Sequence, residues 1–202
     1  MPKLVDHQDR RRHIAEALWR VTVAHGLEGV SLRHVAVEAQ VSMGLVQHYF
    51  TSKDEMLLFS LDALHERVSE RIARRVASAV EPLVPQELVR AVLIEMLPLD
   101  EQRRMEAQVG LAFMAQAAVH PALAAAFRAE FDQLQQFMTE QIAGARQVDN
   151  ASYCQKPESA AAELLALLDG LTAHILAGCR APDTAVELFD RRLSAVLPTL
   201  NK

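Results

Sequence analysis

Arg10, Arg11, Arg12, Arg33 and Lys53 put five cations into the first 53 residues of a 202-residue chain. Ser42, Gln47, His48 and Tyr49 stand among them, side chains able to reach phosphate oxygens or base edges. Cations beside hydroxyls, an amide and a phenol suit contact with a polyanion better than bond-breaking chemistry. The whole chain carries −5, but the charge is uneven. Residues 1–53 hold seven Lys/Arg against five Asp/Glu, a net +2, which leaves −7 on the remainder. Five of the eight histidines also fall in that segment. A cationic head on an acidic body fits a protein that meets phosphate at one end. For an enzyme the sequence offers little. It has no Gly-rich phosphate loop, no zinc-ligand spacing and no recognisable nucleophile–base set. No catalytic residue, cofactor or metal is therefore expected.

The elements that must hold these side chains are short helices. Ser31 reads as an N-cap, Val35 and Ala36 as core-facing positions, and Ala39 as a small residue at a close helix approach. Gln40-Val41 breaks the helical period and Ser42 restarts it as a second N-cap. Val46 and Phe50 then face back toward Val35 and Val41. The result is a helix-turn-helix, whose second helix presents its N-terminal residues to a major groove. Ser42, Met43, Gly44 and Leu45 lie at that end. Gly44 allows close backbone approach, Leu45 offers only apolar contact, as to a thymine methyl, and Gln47 a hydrogen bond to base or phosphate. Tyr49 presents its hydroxyl to phosphate, and Lys53 adds a charge at the next helix start. His48 has two readings, a DNA contact or packing between helices. The arginine triplet also has two, phosphate contact or a solvated turn before an amphipathic helix from Ile14 to Ala24 that ends at Gly26. Trp19 is expected in the core.

Val41-Ser42, Gly44, His48-Tyr49-Phe50, Ser52-Lys53 and Glu55-Met56-Leu57-Leu58 together resemble the TetR family of bacterial transcriptional regulators, over roughly residues 10 to 60. Gln40 stands where that family often has Gly, Met43 where a polar residue is common, and Leu45-Val46-Gln47 replaces Thr-Leu-Tyr. The resemblance implies that Arg33 faces DNA and that Ser31 belongs to the DNA-facing set. It also implies a cytoplasmic homodimer that binds a palindromic operator, most often as a repressor, and is released by a small molecule. Leu97-Pro98-Leu99-Asp100-Glu101, Gly110-Leu111-Ala112-Phe113 and Leu168-Asp169-Gly170-Leu171 resemble the BetI-type branch.

Composition independently points to an all-α chain of about nine helices. Half the residues are hydrophobic, Gly is scarce at seven, and no β-branched alternation occurs. The division expected is a three-helix DNA-binding head at 1–53 and a larger effector-binding and dimerisation body at 54–202. A long helix from Ser52 to about Val80 links them. Further helices span Gln86 to Leu97, Glu101 to Val119, Ala122 to Ala145, Pro157 to Gly178 and Pro182 to Leu197, with a polar loop at 147–157. The apolar stretch from Leu164 to Cys179 contains Asp169 and His174 and is too short for a membrane span, so no membrane partner is expected. Cys154 and Cys179 match no metal or Cys-x-x-Cys spacing and read as reduced thiols.

The helix from Ala160 to Ala177 is apolar on nearly every side, hence central or pressed against a second subunit. Leu164, Leu168, Leu171 and Ile175, with Leu188 and Leu193 on the next helix, are the interface candidates, and small Ala162, Ala166, Gly170 and Ala173 permit close approach. For an effector pocket the candidates are Met96, Gln108, Phe113, Met114, Phe127, Phe131 and His174; the competing reading is ordinary core. The BetI-type resemblance implies a quaternary ammonium ligand such as choline, which needs an aromatic cage. The only Trp lies in the head and the body has a single Tyr, Tyr153, so an uncharged apolar molecule is expected instead. The function class that competes with the regulator is an all-helical enzyme or small-molecule carrier without DNA binding.

Overall fold

The computed structural model describes residues 2–149 and 155–197, which form nine helices and no strand. They are α1 (Pro2–His25), α2 (Leu32–Glu38), α3 (Met43–Tyr49), α4 (Lys53–Ala77), α5 (Pro85–Ile94), α6 (Glu101–Ala117), α7 (Pro121–Asp149), α8 (Pro157–Leu176) and α9 (Pro182–Val196). Prolines open α5, α7, α8 and α9, where a missing N–H leaves no helical bond unmade. The chain folds as two compact units. The first comprises residues up to Arg67 with Gln108–Phe127, the second Val68–Ala107 with residues from Arg128 onward. The first unit thus runs past residue 53, and α4, α6 and α7 each contribute to both units.

In the first unit, α1 packs on α2 and α2 on α3. Helices of seven residues are too short to persist alone, so their stability comes from caps and from buried side chains. Ser31 Oγ accepts the His34 N–H at 3.2 Å, and Ser42 Oγ accepts the Leu45 N–H at 3.1 Å. Val35, Ala36, Val46 and Phe50 are buried, as are Ile14, Leu18 and Trp19 of α1. The indole N–H of Trp19 donates to the Ser60 carbonyl at 3.1 Å, which joins α1 to α4. Gly26, at φ 69°, ends α1 in the left-handed conformation. Gly29 is required for a different reason: a Cβ there would meet His25 Cβ at 2.6 Å.

The second unit is built on one apolar cluster. Val89 and Leu93 of α5, Met138 and Ile142 of α7, Leu164, Leu165, Leu168, Leu171 and Ile175 of α8, and Phe189 and Leu193 of α9 all belong to it. Beside it lies a charged network. Arg71 of α4 reaches Glu95 at 3.1 Å and Glu106 at 2.7 Å, while Arg103 approaches Glu95 at 3.7 Å and Asp100 at 2.7 Å. Asp100 also accepts the Arg103 N–H at 2.8 Å, capping α6. That bond and the neighbouring arginines hold its carboxyl below the ordinary range.

Several expectations are corrected. Helix α1 begins at Pro2, so the arginine triplet sits in mid-helix and not in a turn ahead of it. Helix α4 ends at Ala77 and α5 at Ile94, each three residues early, while α7 runs to Asp149 into the expected loop. Tyr153 and Cys154 lie outside the described residues; Cys179 is an exposed free thiol. The interface candidates lie mostly inside the subunit. Leu164, Leu168, Leu171, Ile175 and Leu193 are at most 3% exposed inside their own subunit, and side chains already enclosed there are not available to a second copy. Leu188 is half-buried against the same cluster. By length and composition α8 alone among the described helices is apolar enough to cross a bilayer, but its leucines form this core.

Candidate nucleic-acid interface

The outer edge of α3 is open. Ser42, Met43, Gly44, Gln47 and His48 are exposed, Leu45 and Tyr49 half-buried, and only Val46 points inward. Apolar Met43 keeps 45% of its surface exposed, unusual for a residue the fold does not need there. Gly44 is helical with nothing but Ser42 Oγ, at 3.9 Å, near a Cβ built onto it. The protein itself therefore has room for a side chain at 44. His48 is exposed, with its ring edge-on to Tyr49 at 5.2 Å. His7 of α1 meets the same Tyr49 ring at 4.8 Å.

Beside this edge, Arg33 on α2 is exposed, and Arg33, Gln47 and Lys53 make no hydrogen bond or ion pair among the described residues. Ser31 is occupied as the α2 cap. The arginine triplet divides. Arg10 is exposed, and Arg12 pairs with Glu66 at 3.1 Å with both side chains more than half exposed. Arg11 is different, only 21% exposed and turned inward. Its guanidinium lies 4.7 Å from the Phe50 ring centre and 4.2 Å from that of Phe59, and bonds Glu55 Oε1 at 3.2 Å. Glu55 Oε2 in turn accepts the Thr51 N–H and hydroxyl, each at 2.8 Å. The Thr51 backbone bond, then its hydroxyl and the Arg11 charge, hold the Glu55 carboxyl below the usual range. The direct phosphate contact expected of Arg11 is thus not available to it in this conformation.

Further contacts tie the end of α2 to α1. His13 on α1 reaches the Ala39 carbonyl at 3.0 Å and Arg20 pairs with Glu38 at 2.6 Å. Gln40, at the turn, has φ 55°. It adopts the left-handed conformation that the family's usual Gly takes without strain. No sequence pattern gave away His7, His13 or the inward turn of Arg11, because each depends on a residue more than 25 positions away.

The regulatory reading is decided by comparison with known proteins. Residues 14–58 match the model described as bacterial regulatory proteins, tetR family, and residues 85–198 match that of the BetI-type transcriptional repressor C-terminal domain. The chain belongs to the TetR family. It is similar to the HTH-type transcriptional regulator PksA of Bacillus subtilis (strain 168), 38% identical over 87% of this chain and 83% of that protein. A transcriptional regulator from Rhodococcus sp. Rha1 superposes with TM-score 0.79 at 31% identity, covering 92% of this chain and 95% of that one. A regulator from Saccharomonospora viridis, solved in complex with choline, gives TM-score 0.75 at 25% identity over 93% and 95%. The chain is accordingly a DNA-binding transcriptional regulator of the TetR family and not an enzyme; regulators of this family act on DNA as dimers and respond to small molecules.

The effector candidates in this TetR-family body are scattered. Phe113 is buried, Met96, Gln108 and Phe127 are half-buried, and Met114, Phe131 and His174 are exposed. Gln108, Phe113, Met114 and Phe127 belong to the first unit, the other three to the second. Met114 and Phe131 are 42% and 44% exposed. Phe127 instead presents its ring edge-on to His65 at 6.0 Å.

Proposed function

We propose that this regulator represses transcription in the cytoplasm, binding a palindromic operator through α3 and releasing it when a small apolar molecule enters the body. The observation that carries the DNA-contact assignment is Gly44. A helical glycine with space for a Cβ is destabilising by about 1 kcal/mol relative to Ala, so its use answers to something outside the subunit. A duplex pressed against the N-terminal end of α3 is such a constraint. Ser42, Met43, Leu45 and Gln47 then face base edges, with Met43 and Leu45 limited to apolar contacts such as a thymine methyl. Arg10, Arg12, Ser31, Arg33, His48, Tyr49 and Lys53 serve the phosphates, supplying affinity and salt dependence but little sequence preference. Residues 1–53 act as the DNA-binding part and 54–202 as the part for effector and dimer.

Dimerisation uses the side of α8 that its own core leaves open: Ala162 and Ala166 exposed, Gly170 and Ala173 half-buried, with Leu167 and Leu176 partly covered. A two-fold axis there sets two reading helices on successive half-sites. For the effector, the body's lack of Trp, the strongest partner for a quaternary ammonium group, favours an uncharged ligand. The ligand shifts the population of dimers able to span both half-sites.

Gly44→Ala tests this directly. Its melting temperature should rise slightly while its affinity for an operator, selected by the wild-type protein from a random duplex library, falls at least tenfold by fluorescence anisotropy. Unchanged affinity would remove α3 from the interface. Titrating choline and, separately, indole into the wild-type complex tests the effector: release by choline alone refutes the apolar reading.

A further inference from the structure

We infer that Arg11 is a positioning residue for DNA binding, one that orients the reading helix from inside the head and touches no phosphate. This rests on the DNA-binding reading of α3 and adds what fixes its angle.

Three observations meet at one side chain. The guanidinium lies over both Phe50 and Phe59, 4.7 and 4.2 Å from the ring centres, and the two rings meet each other at 5.5 Å, tilted by 55°. Phe50 is the C-terminal cap of α3 and is fully buried, whereas Phe59 lies one turn into α4. A cation within reach of two ring centres is attracted electrostatically to both. Its fork bonds Glu55 Oε1, and the other Glu55 oxygen takes the Thr51 N–H and hydroxyl. Thr51 is the residue immediately after that cap. Arg11 on α1 thus grips the cap residue of α3, the turn that follows and the first turns of α4. Few apolar side chains lock α3: Val46 alone is buried within the helix itself. A seven-residue helix with one buried side chain has little else to fix its rotation, and Arg11 supplies that constraint.

Lysine at position 11 would keep the charge but lack both the plane that stacks and the fork that bonds. That difference separates positioning from phosphate contact. A lost phosphate contact lowers the salt slope, d log K/d log[salt], by about 0.9 in magnitude; a lost positioning residue weakens binding without altering the slope.

The experiment uses the full-length protein and a fluorescein-labelled operator selected by the wild type, with anisotropy read across a salt series. Arg11→Met and Arg11→Lys are both expected to bind at least tenfold more weakly at unchanged slope, with helicity and dimer mass kept. Glu55→Gln should give the same signature at smaller amplitude, and decides the matter should Arg11→Met fail to fold. A slope shallower by about one or more per dimer, full rescue by Arg11→Lys, or unaltered affinity in the variants would overturn the assignment. A wild-type protein that enriches no duplex would sink the DNA-binding reading and this one with it.

Discussion

The two helices proposed to face DNA, α2 and α3, are seven residues long, whereas α8 in the second unit runs for twenty. The first pair is held by directional contacts: serine caps, the His13 bond to the Ala39 carbonyl, the Arg20–Glu38 pair and the Arg11 grip. Helix α8 is held by seven buried residues, most of them leucine. The difference follows from what each must do. A groove-reading helix must keep one edge bare, so it has little apolar surface left to bury and must be oriented by bonds with defined geometry. Apolar burial is non-directional; it gives α8 stability in bulk without demanding a particular rotation.

The largest effect that would test this contrast is Phe189→Ala. Emptying a fully buried site in the α8–α9 core should cost about 3–5 kcal/mol, read as a large fall in urea midpoint, with DNA affinity of the remaining folded protein unchanged. Next is the charged network beside that core. Glu106→Ala leaves Arg71, 16% exposed, with only Glu95 as partner; a loss of about 3 kcal/mol is expected. Replacing Arg71 and Glu106 together by Met should recover only part of it, because Glu95 then keeps Arg103 alone, at 3.7 Å; equal damage from the double variant would show that the network does more than pair.

Smaller and opposite in sign is Gln40→Gly. Relief of the left-handed conformation should stabilise the protein by about 1 kcal/mol, seen as a higher melting temperature. No gain would mean that the Gln40 side chain offsets its backbone strain.

The smallest effect is acid sensitivity. Glu55 in the head and Asp100 and Glu163 in the body have carboxyls held below their ordinary values of 4.5, 3.8 and 4.5. For Glu163 the causes are hydrogen bonds from Arg192 and then Gln155. Each contributes stability that is complete above its ordinary value and lost as pH falls through the folded one. Asp169 runs the other way, its carboxyl raised by desolvation, so its contribution declines as pH rises. Melting temperature should therefore decline below about pH 4.5, and Glu55→Gln should flatten part of that decline.

Local signals were legible in the sequence and distant ones were not. Ser31 and Ser42 announce helix starts because a cap acts on a residue three positions on, and the prolines mark α5, α7, α8 and α9 for the same local reason. Where α8 turns its leucines was not readable, since an apolar circumference has no marked inside; the structure assigns Leu164 and Leu168 to their own subunit. Arg11 misled in the opposite way. Three consecutive arginines read as one group, yet neighbours on a helix point 100° apart, and the middle one meets Phe50, Phe59 and Glu55 while Arg12 stays at the surface. For the proposed DNA-facing set, the sequence nominated the side chains and the structure gives their exposure. For the effector set, residue type alone said nothing about which way Met114, Phe131 or His174 points.

The Trp19 bond to Ser60 bears on portability. A chimera that joins this recognition segment to a related body at residue 53 would discard the indole's acceptor and one of the two rings beneath the Arg11 guanidinium. Transplants meant to redirect such a regulator to new targets should cut no earlier than residue 67, where the first compact unit leaves α4, and should carry 108–127 along as well.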